Sequence, residues 1–218
     1  MTETKYVENV IKLRGVRIRS MNLFEKKKFD PKKEDEIAKY GITVLLDPNN
    51  PAHKASIKEI TAELMRIAAE KKIDVETLKT VFNGGDSAKV ILCTGKGEAK
   101  KDDDGNIKNG FAGMYFLTAR TETKPIVVDR DPGIALGPDD SKLYAGCLAN
   151  VNVKLYGWNF NNAKRGISAE LRSVQYYQTG DRFGRPALDP ETEFEKLPPE
   201  QGTAAPAKSA SADDGWND

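Results

Sequence analysis

Histidine and cysteine are almost missing from this chain, with one His and two Cys in 218 residues. Any Ser-His-Asp or Cys-His mechanism would have to use His53. That residue stands in Pro51-Ala52-His53-Lys54, where a helix is expected to begin, so a structural or surface role is assigned to it. A zinc site takes about four Cys/His ligands, and His53, Cys93 and Cys147 are too few and too scattered. The two cysteines lie in apolar, strand-like contexts and cannot build a disulfide framework. Long apolar runs are lacking too: no stretch of membrane-spanning length occurs, and Met1-Thr2-Glu3-Thr4-Lys5 does not open like a signal peptide. The expectation is a cytosolic protein with no metal, no cofactor and no membrane partner, in which any catalysis would have to rest on carboxylates.

Charge is abundant instead, and it is unevenly spread. The whole chain carries 34 Lys+Arg against 33 Asp+Glu. Residues 187–218 hold eight acids against Lys196 and Lys208, a net of −6, which leaves +7 for residues 1–186. The acidic segment is rich in Pro, Ala and Ser and has no apolar periodicity to offset the entropy of ordering. It is therefore read as a disordered tail following one domain over 1–186. The tail ends Asp213-Asp214-Gly215-Trp216-Asn217-Asp218, either a solvating terminus or a short docking peptide built on Asp213, Asp214, Trp216 and Asp218. Positive charge concentrates between Lys5 and Lys28 and again between Lys142 and Pro186. Two basic segments so far apart suggest one basic face assembled by folding.

The pattern over Asn9–Phe24 predicts a bent strand. Ile11 and Leu13 alternate with Lys12 and Arg14, then Gly15 intervenes, and Val16 and Ile18 alternate with Arg17 and Arg19. A bulge at Gly15 restores Lys12, Arg14, Arg17 and Arg19 to one face. Four cations without an interleaved acid favour a polyanion surface over a merely solvated face. Tyr40–Asp47 predicts a second strand. Asn50 and Pro51 then start a helix whose apolar face is Ile57, Ile60, Leu64, Ile67 and Ala68. A short helix over Asp74–Phe82 and strands over Ala88–Thr94, Phe111–Thr121 and Ile126–Asp129 follow. Asp102-Asp103-Asp104-Gly105-Asn106 fails the register of a calcium loop, since Lys100 and Phe111 would fall on ligand positions, and reads as a hairpin turn.

The stretch Tyr144–Tyr177 is the most informative. Val151, Val153 and Leu155 point to a core, leaving Asn152, Lys154, Tyr156 and Trp158 on the other face. A polar turn containing Lys164 and Arg165 leads to a return strand, Ile167, Ala169 and Leu171 against Ser168, Glu170 and Arg172, ending near Tyr176. Aromatics interleaved with cations suit single-strand binding, rings stacking on bases of any sequence while Lys and Arg track phosphates. The alternative is that Tyr156 and Trp158 complete a hydrophobic core. Six or so strands, Gly- and Pro-rich turns and one substantial helix predict a mainly β fold, an OB-type barrel of five to six strands with a helical insertion.

Tyr144-Ala-Gly-Cys, Asn-Val-Asn-Val at 150–153, Tyr156-Gly-Trp-Asn-Phe and the run Lys164-Arg-Gly-Ile-Ser-Ala-Glu-Leu-Arg-Ser-Val-Gln-Tyr-Tyr resemble a bacteriophage family of single-stranded DNA-binding proteins. The strand Val-Arg-Ile-Arg-Ser and the acidic tail fit as well, so the likeness covers most of the chain. It implies an OB-fold protein of phage DNA replication or recombination, indifferent to sequence, non-catalytic and working in the cytoplasm of the bacterial host. Family members commonly end in acids plus an aromatic; here Trp216 is followed by two residues rather than standing last. The expected partners are single-stranded DNA, double-stranded DNA held more weakly because the tail competes, and replication proteins docked through the C-terminus. The rival readings are a single-strand annealing or recombination mediator protein and a metal-dependent nuclease using Asp102–Asp104 or Asp139-Asp140.

Overall fold

A computed structural model describes residues 9–28, 32, 34–160 and 164–183 of the chain. Ten elements follow in order: β1 (Ile11–Lys27), β2 (Lys39–Leu46), α1 (Pro51–Glu70), α2 (Val75–Phe82), β3 (Val90–Leu92), β4 (Thr94–Lys96), β5 (Tyr115–Thr121), β6 (Ile126–Val128), β7 (Leu148–Phe160) and β8 (Lys164–Gln178). Strands β1, β2, β5, β8 and β7 close on themselves in that order. Every pairing is antiparallel except β5 with β8, which is parallel. This is the five-stranded OB barrel that the strand and turn pattern predicts. Both α-helices are inserted between its second and third strands, and none of the described helices is long and apolar enough to cross a membrane.

Strand β1 has to bend to take part in closure, and Gly15 is where it does. Its φ is +60°, the left-handed region open to glycine, and the register with β7 slips between Leu13 and Val16. Ile11, Leu13, Val16 and Ile18 are consequently all buried. Two groups hold the bulge. Gly15 N–H donates to Asn150 Oδ1 at 3.0 Å. The buried His53 ring accepts from Asp47 N–H at Nδ1 (3.0 Å), which places its proton on Nε2, facing Gly15 O at 3.1 Å. The lone histidine is thus a brace between the bend in β1 and the start of α1.

Helix α1 begins as predicted, with Asn50 Oδ1 accepting from Ala52 N–H and Pro51 in the first turn. Ile60, Leu64, Ile67 and Ala68 are buried against the barrel, where each large aliphatic contributes about 1.5–3 kcal/mol relative to exposure. Ile57 is only half-buried, and Glu63 lies on the buried face. Its carboxylate is matched by the Arg66 guanidinium at 2.8 and 3.0 Å and by Asn9 Nδ2 at 2.8 Å.

The strand expected over 88–94 is split. Cys93 bridges two barrel strands, its N–H donating to Ile167 O and its carbonyl accepting from Thr118 N–H. Three residues on one side of it pair with β8 and three on the other with β5. A second departure lies in β8, where the register with β7 slips at Arg172. Parity therefore reverses: Ile167, Ala169 and Leu171 point inward before the slip and Val174 after it. Tyr176, assigned to the outer face by simple alternation, is packed against the core.

Burial opposes ionisation of Glu63, but the Arg66 hydrogen bonds outweigh it and hold the carboxyl below its ordinary value. A depressed carboxyl stabilises the fold above the ordinary carboxylate range and loses that contribution as pH falls through the folded value. Glu63→Gln should therefore melt below wild type at neutral pH, and the gap should narrow as the pH falls below the ordinary carboxylate range. A gap that stays constant across that range in thermal melts would exclude Glu63 as the titrating group.

Candidate nucleic-acid interface

The outward positions of β2 and β5 alternate with the core positions Ile42, Val44, Leu117 and Ala119. On this outer surface Thr43 and Thr118 join hydroxyls at 3.0 Å, with Phe116 before them and Arg120 after. The strand through Cys93 forms one bank of a groove of ≈ 620 Å³, and the end of the β1–β2 loop forms the other. Tyr156 reaches in from β7, 42% exposed. Two aliphatic side chains stand open on opposite banks, Ile37 at 61% and Ile91 at 48% exposure.

Cations converge on the same groove. Lys100 lies with its ammonium 4.2 Å from the centre of the Phe116 ring. Burial lowers its pKa, and the positive charges of Lys108 and Arg120 lower it further. Arg120 is itself partly desolvated, with Glu36 offsetting the effect. Lys39 on β2 pairs with Glu122 at 3.0 Å. Cations gathered beside the open Tyr156 ring and the open aliphatics, and only partly offset by Glu36 and Glu122, suit a ligand with phosphates and flat apolar faces. Beneath them, burial pushes the Cys93 thiol up to about 12.

The predicted site residues are distributed over several surfaces. Tyr156 is in the groove. Trp158 is half-buried beside it; its Nε1–H donates to Ser168 Oγ at 2.9 Å, and its ring covers Gly166, where an added Cβ would come within 2.4 Å of it. Lys154 faces Glu170 across the β7–β8 pair, and Lys164 is exposed at the start of β8. Arg165 donates to the carbonyls of Lys71 and Lys72, closing the C-terminal end of α1. Arg172 lies on a separate depression of ≈ 430 Å³ that includes Lys124. Lys12 and Arg14 are exposed on β1. Arg17 and Arg19 share their side of the strand but brace loops. Arg17 donates to Gly146 O (3.3 Å) and Asp181 O (2.6 Å), with its guanidinium 4.1 Å from the Phe183 ring centre. Arg19 donates to Asn109 O at 2.8 Å between Phe111 and Phe183. Asp213, Asp214, Trp216 and Asp218, with the whole predicted tail, lie outside the described residues.

Sequence reasoning missed Lys39, Lys100, Phe116 and Arg120. The alternation of Phe116, Thr118 and Arg120 with core residues in β5 was the available signal. Lys100 had none, because the charged excursion after Lys96 folds back only through tertiary contacts. Within that excursion Asp102 Oδ1 accepts from the backbone of Asp104 and Asn106, the turn expected there.

An OB barrel with an open groove joining cations to aromatic and aliphatic surface defines a class of oligomer-binding modules. Within it, the chain belongs to the family of the Enterobacter phage Enc34 ssDNA-binding protein, whose profile matches residues 9–204. The putative protein p50 of Acyrthosiphon pisum secondary endosymbiont phage 1 is 32% identical over 141 residues, 65% of this chain and 71% of that protein. Two solved structures are similar in fold. A C-terminal truncation of the single-stranded DNA-binding protein from bacteriophage Enc34 has a TM-score of 0.60 at 22% identity, covering 80% of this chain and 88% of its own. The same phage protein in complex with ssDNA has a TM-score of 0.57 at 23% identity, covering 80% and 89%.

With a pKa near 12, Cys93 carries almost no thiolate at pH 8. Native protein incubated with iodoacetamide at that pH should leave Cys93 unmodified, and unfolding in urea should expose it. Rapid alkylation of the native protein would mean that the thiol is solvated and the groove floor more open than described.

Proposed function

We propose that this chain binds single-stranded DNA without sequence preference in the groove over β2, β5 and the Cys93 strand, and that it does so in phage DNA replication or recombination inside the bacterial host. The observation that carries the reading is the meeting of Tyr156 with Lys39, Lys100 and Arg120 in one groove of an OB barrel. Membership of a family described as ssDNA-binding supports it, as does the ssDNA complex recorded for the Enc34 phage protein. In this reading bases stack on Tyr156 and lie against Ile37 and Ile91, while the ammonium and guanidinium groups take the phosphates. Lys12 and Arg14, exposed on β1, extend the positive surface.

Two measurements test this. If about five phosphates are neutralised, log affinity for poly(dT) should fall against log salt with a slope of roughly −3 to −4. A slope near zero rejects a phosphate-tracking mode. Tyr156→Ala should weaken binding by about 1–3 kcal/mol with little change in melting temperature. Trp158→Ala should instead lower the melting temperature, because that ring covers Gly166 and bonds Ser168. Equal binding by wild type and Tyr156→Ala would remove base stacking from this position.

The acidic segment 187–218 is proposed to compete with DNA for the positive surface. A tether of about 30 residues with the composition expected of a disordered chain would hold it at an effective concentration near millimolar. Truncation after Pro186 should strengthen binding to duplex more than to single strands, with the difference shrinking at high salt. Unchanged affinities on both substrates would leave the segment a docking or solubilising role, with Trp216 as the contact for replication proteins.

A further inference from the structure

We propose that Glu36, at the end of the β1–β2 loop, is an internal competitor that stands in for a phosphate at Arg120 in the free protein and lowers the affinity of the groove for anionic ligands. The inference rests on the groove being the strand-binding site and adds a charge that a ligand has to displace.

The groove is not purely basic. Asp35 and Glu36 line it together with Lys39, Lys100 and Arg120. Glu36 Oε1 is 3.8 Å from Arg120 Nη1, and its side chain is only 25% exposed, so the carboxylate is held inside the groove and not merely near it. The geometry is that of a screening contact. Elsewhere in the same protein Glu63 takes the Arg66 guanidinium in two bonds of 2.8 and 3.0 Å, the bidentate fit that makes an arginine–carboxylate pair strong. At 3.8 Å the Glu36–Arg120 contact has the Coulombic part of that interaction and neither of its two hydrogen bonds. It offsets the mutual repulsion of Arg120 and Lys100 while remaining displaceable by an anion that can approach more closely.

A phosphate arriving at Arg120 meets this carboxylate and must push it into solvent. The ligand therefore needs a further source of binding free energy, and an unpaired strand has one in its bases, which can stack on Tyr156. A polyanion without bases has only charge to offer and is disfavoured. Glu36 in this view sets how much other binding free energy any phosphate ligand must bring, and an unpaired strand brings it through its bases.

The test uses the full chain and four variants: Glu36→Gln, Arg120→Gln, the double variant, and Glu76→Gln as a control that removes one acid from the exposed face of α2. Binding to a dT oligonucleotide and to inorganic polyphosphate is measured at low and high salt, with thermal melts to establish that the isosteric variants are folded. Glu36→Gln should bind the oligonucleotide about 1.5- to 5-fold more tightly at low salt, the scale of one exposed charge interaction. Its gain on polyphosphate should be similar, because the carboxylate displaced is the same, and both gains should fade as salt rises. In the Arg120→Gln background the gain should vanish. A Glu36→Gln variant that binds like wild type while Arg120→Gln is weakened overturns the proposal alone. So does a gain matched by Glu76→Gln, or one that persists without Arg120, since either makes Glu36 a long-range charge. If Arg120→Gln itself binds like wild type, the groove reading fails, and the proposal fails with it.

Discussion

Closure of the barrel depends on a seam of two residue pairs, Ala119 with Ala169 and Arg120 with Glu170, where β5 meets β8 in parallel. The alanines are small and almost wholly buried, which lets the two backbones approach where the barrel is tightest. Beyond the seam the two strands diverge, and β8 finds other partners in turn: β3 below and β6 above, both parallel. The groove exists because of that divergence. The strand through Cys93 fills the gap on one side and becomes a bank, while Arg120, alternating with the buried Ala119, is placed on the outside directly at the seam.

That placement sets the electrostatics. Lys100 comes from the far end of the inserted segment and lies across the Phe116 ring close enough to Arg120 for each to disfavour the other's charge. Maintaining two partly desolvated cations side by side costs stability, and a fold under selection for stability alone would replace one of them. Glu36 relieves part of that cost in the free protein. In the proposed reading, the remainder draws an anionic ligand to this groove more strongly than to Lys12 or Arg14, which are exposed on β1.

Much of this architecture was legible in the amino-acid sequence because it rests on local pattern. The alternation in Ile11–Arg19 announced both the strand and its bulge, Asn50 and Pro51 announced the helix start, and Val151, Val153 and Leu155 announced the core face of β7. Reasoning by parity failed where register slips without a glycine to signal it: Arg172 is the extra residue in β8, and Tyr176 turns inward as a result. It also could not separate cations that face solvent from cations that brace the fold. Arg17, Arg19 and Arg165 look like surface charges in the sequence, yet they hold the carbonyls of Gly146, Asp181, Asn109, Lys71 and Lys72. The groove itself was the least legible part. Lys39, Lys100, Phe116 and Arg120 are brought together by strand pairing and by a loop that returns on itself, and no short motif contains any two of the cations.

The central claim is that a single strand lies in the groove over the β5–β8 seam and not along the outer face of β1. Photo-cross-linking tests this most directly. A dT oligonucleotide carrying 5-iododeoxyuridine at successive positions is irradiated in complex with the full chain, and the attached residue is mapped by mass spectrometry. The account predicts cross-links to Tyr156, with any others falling in the strand and loop segments that bank the same groove. Cross-links confined to Phe183 and the β1 segment, with Tyr156 untouched, would contradict it and move the strand along β1, to the far side of the Phe111–Phe116 contact.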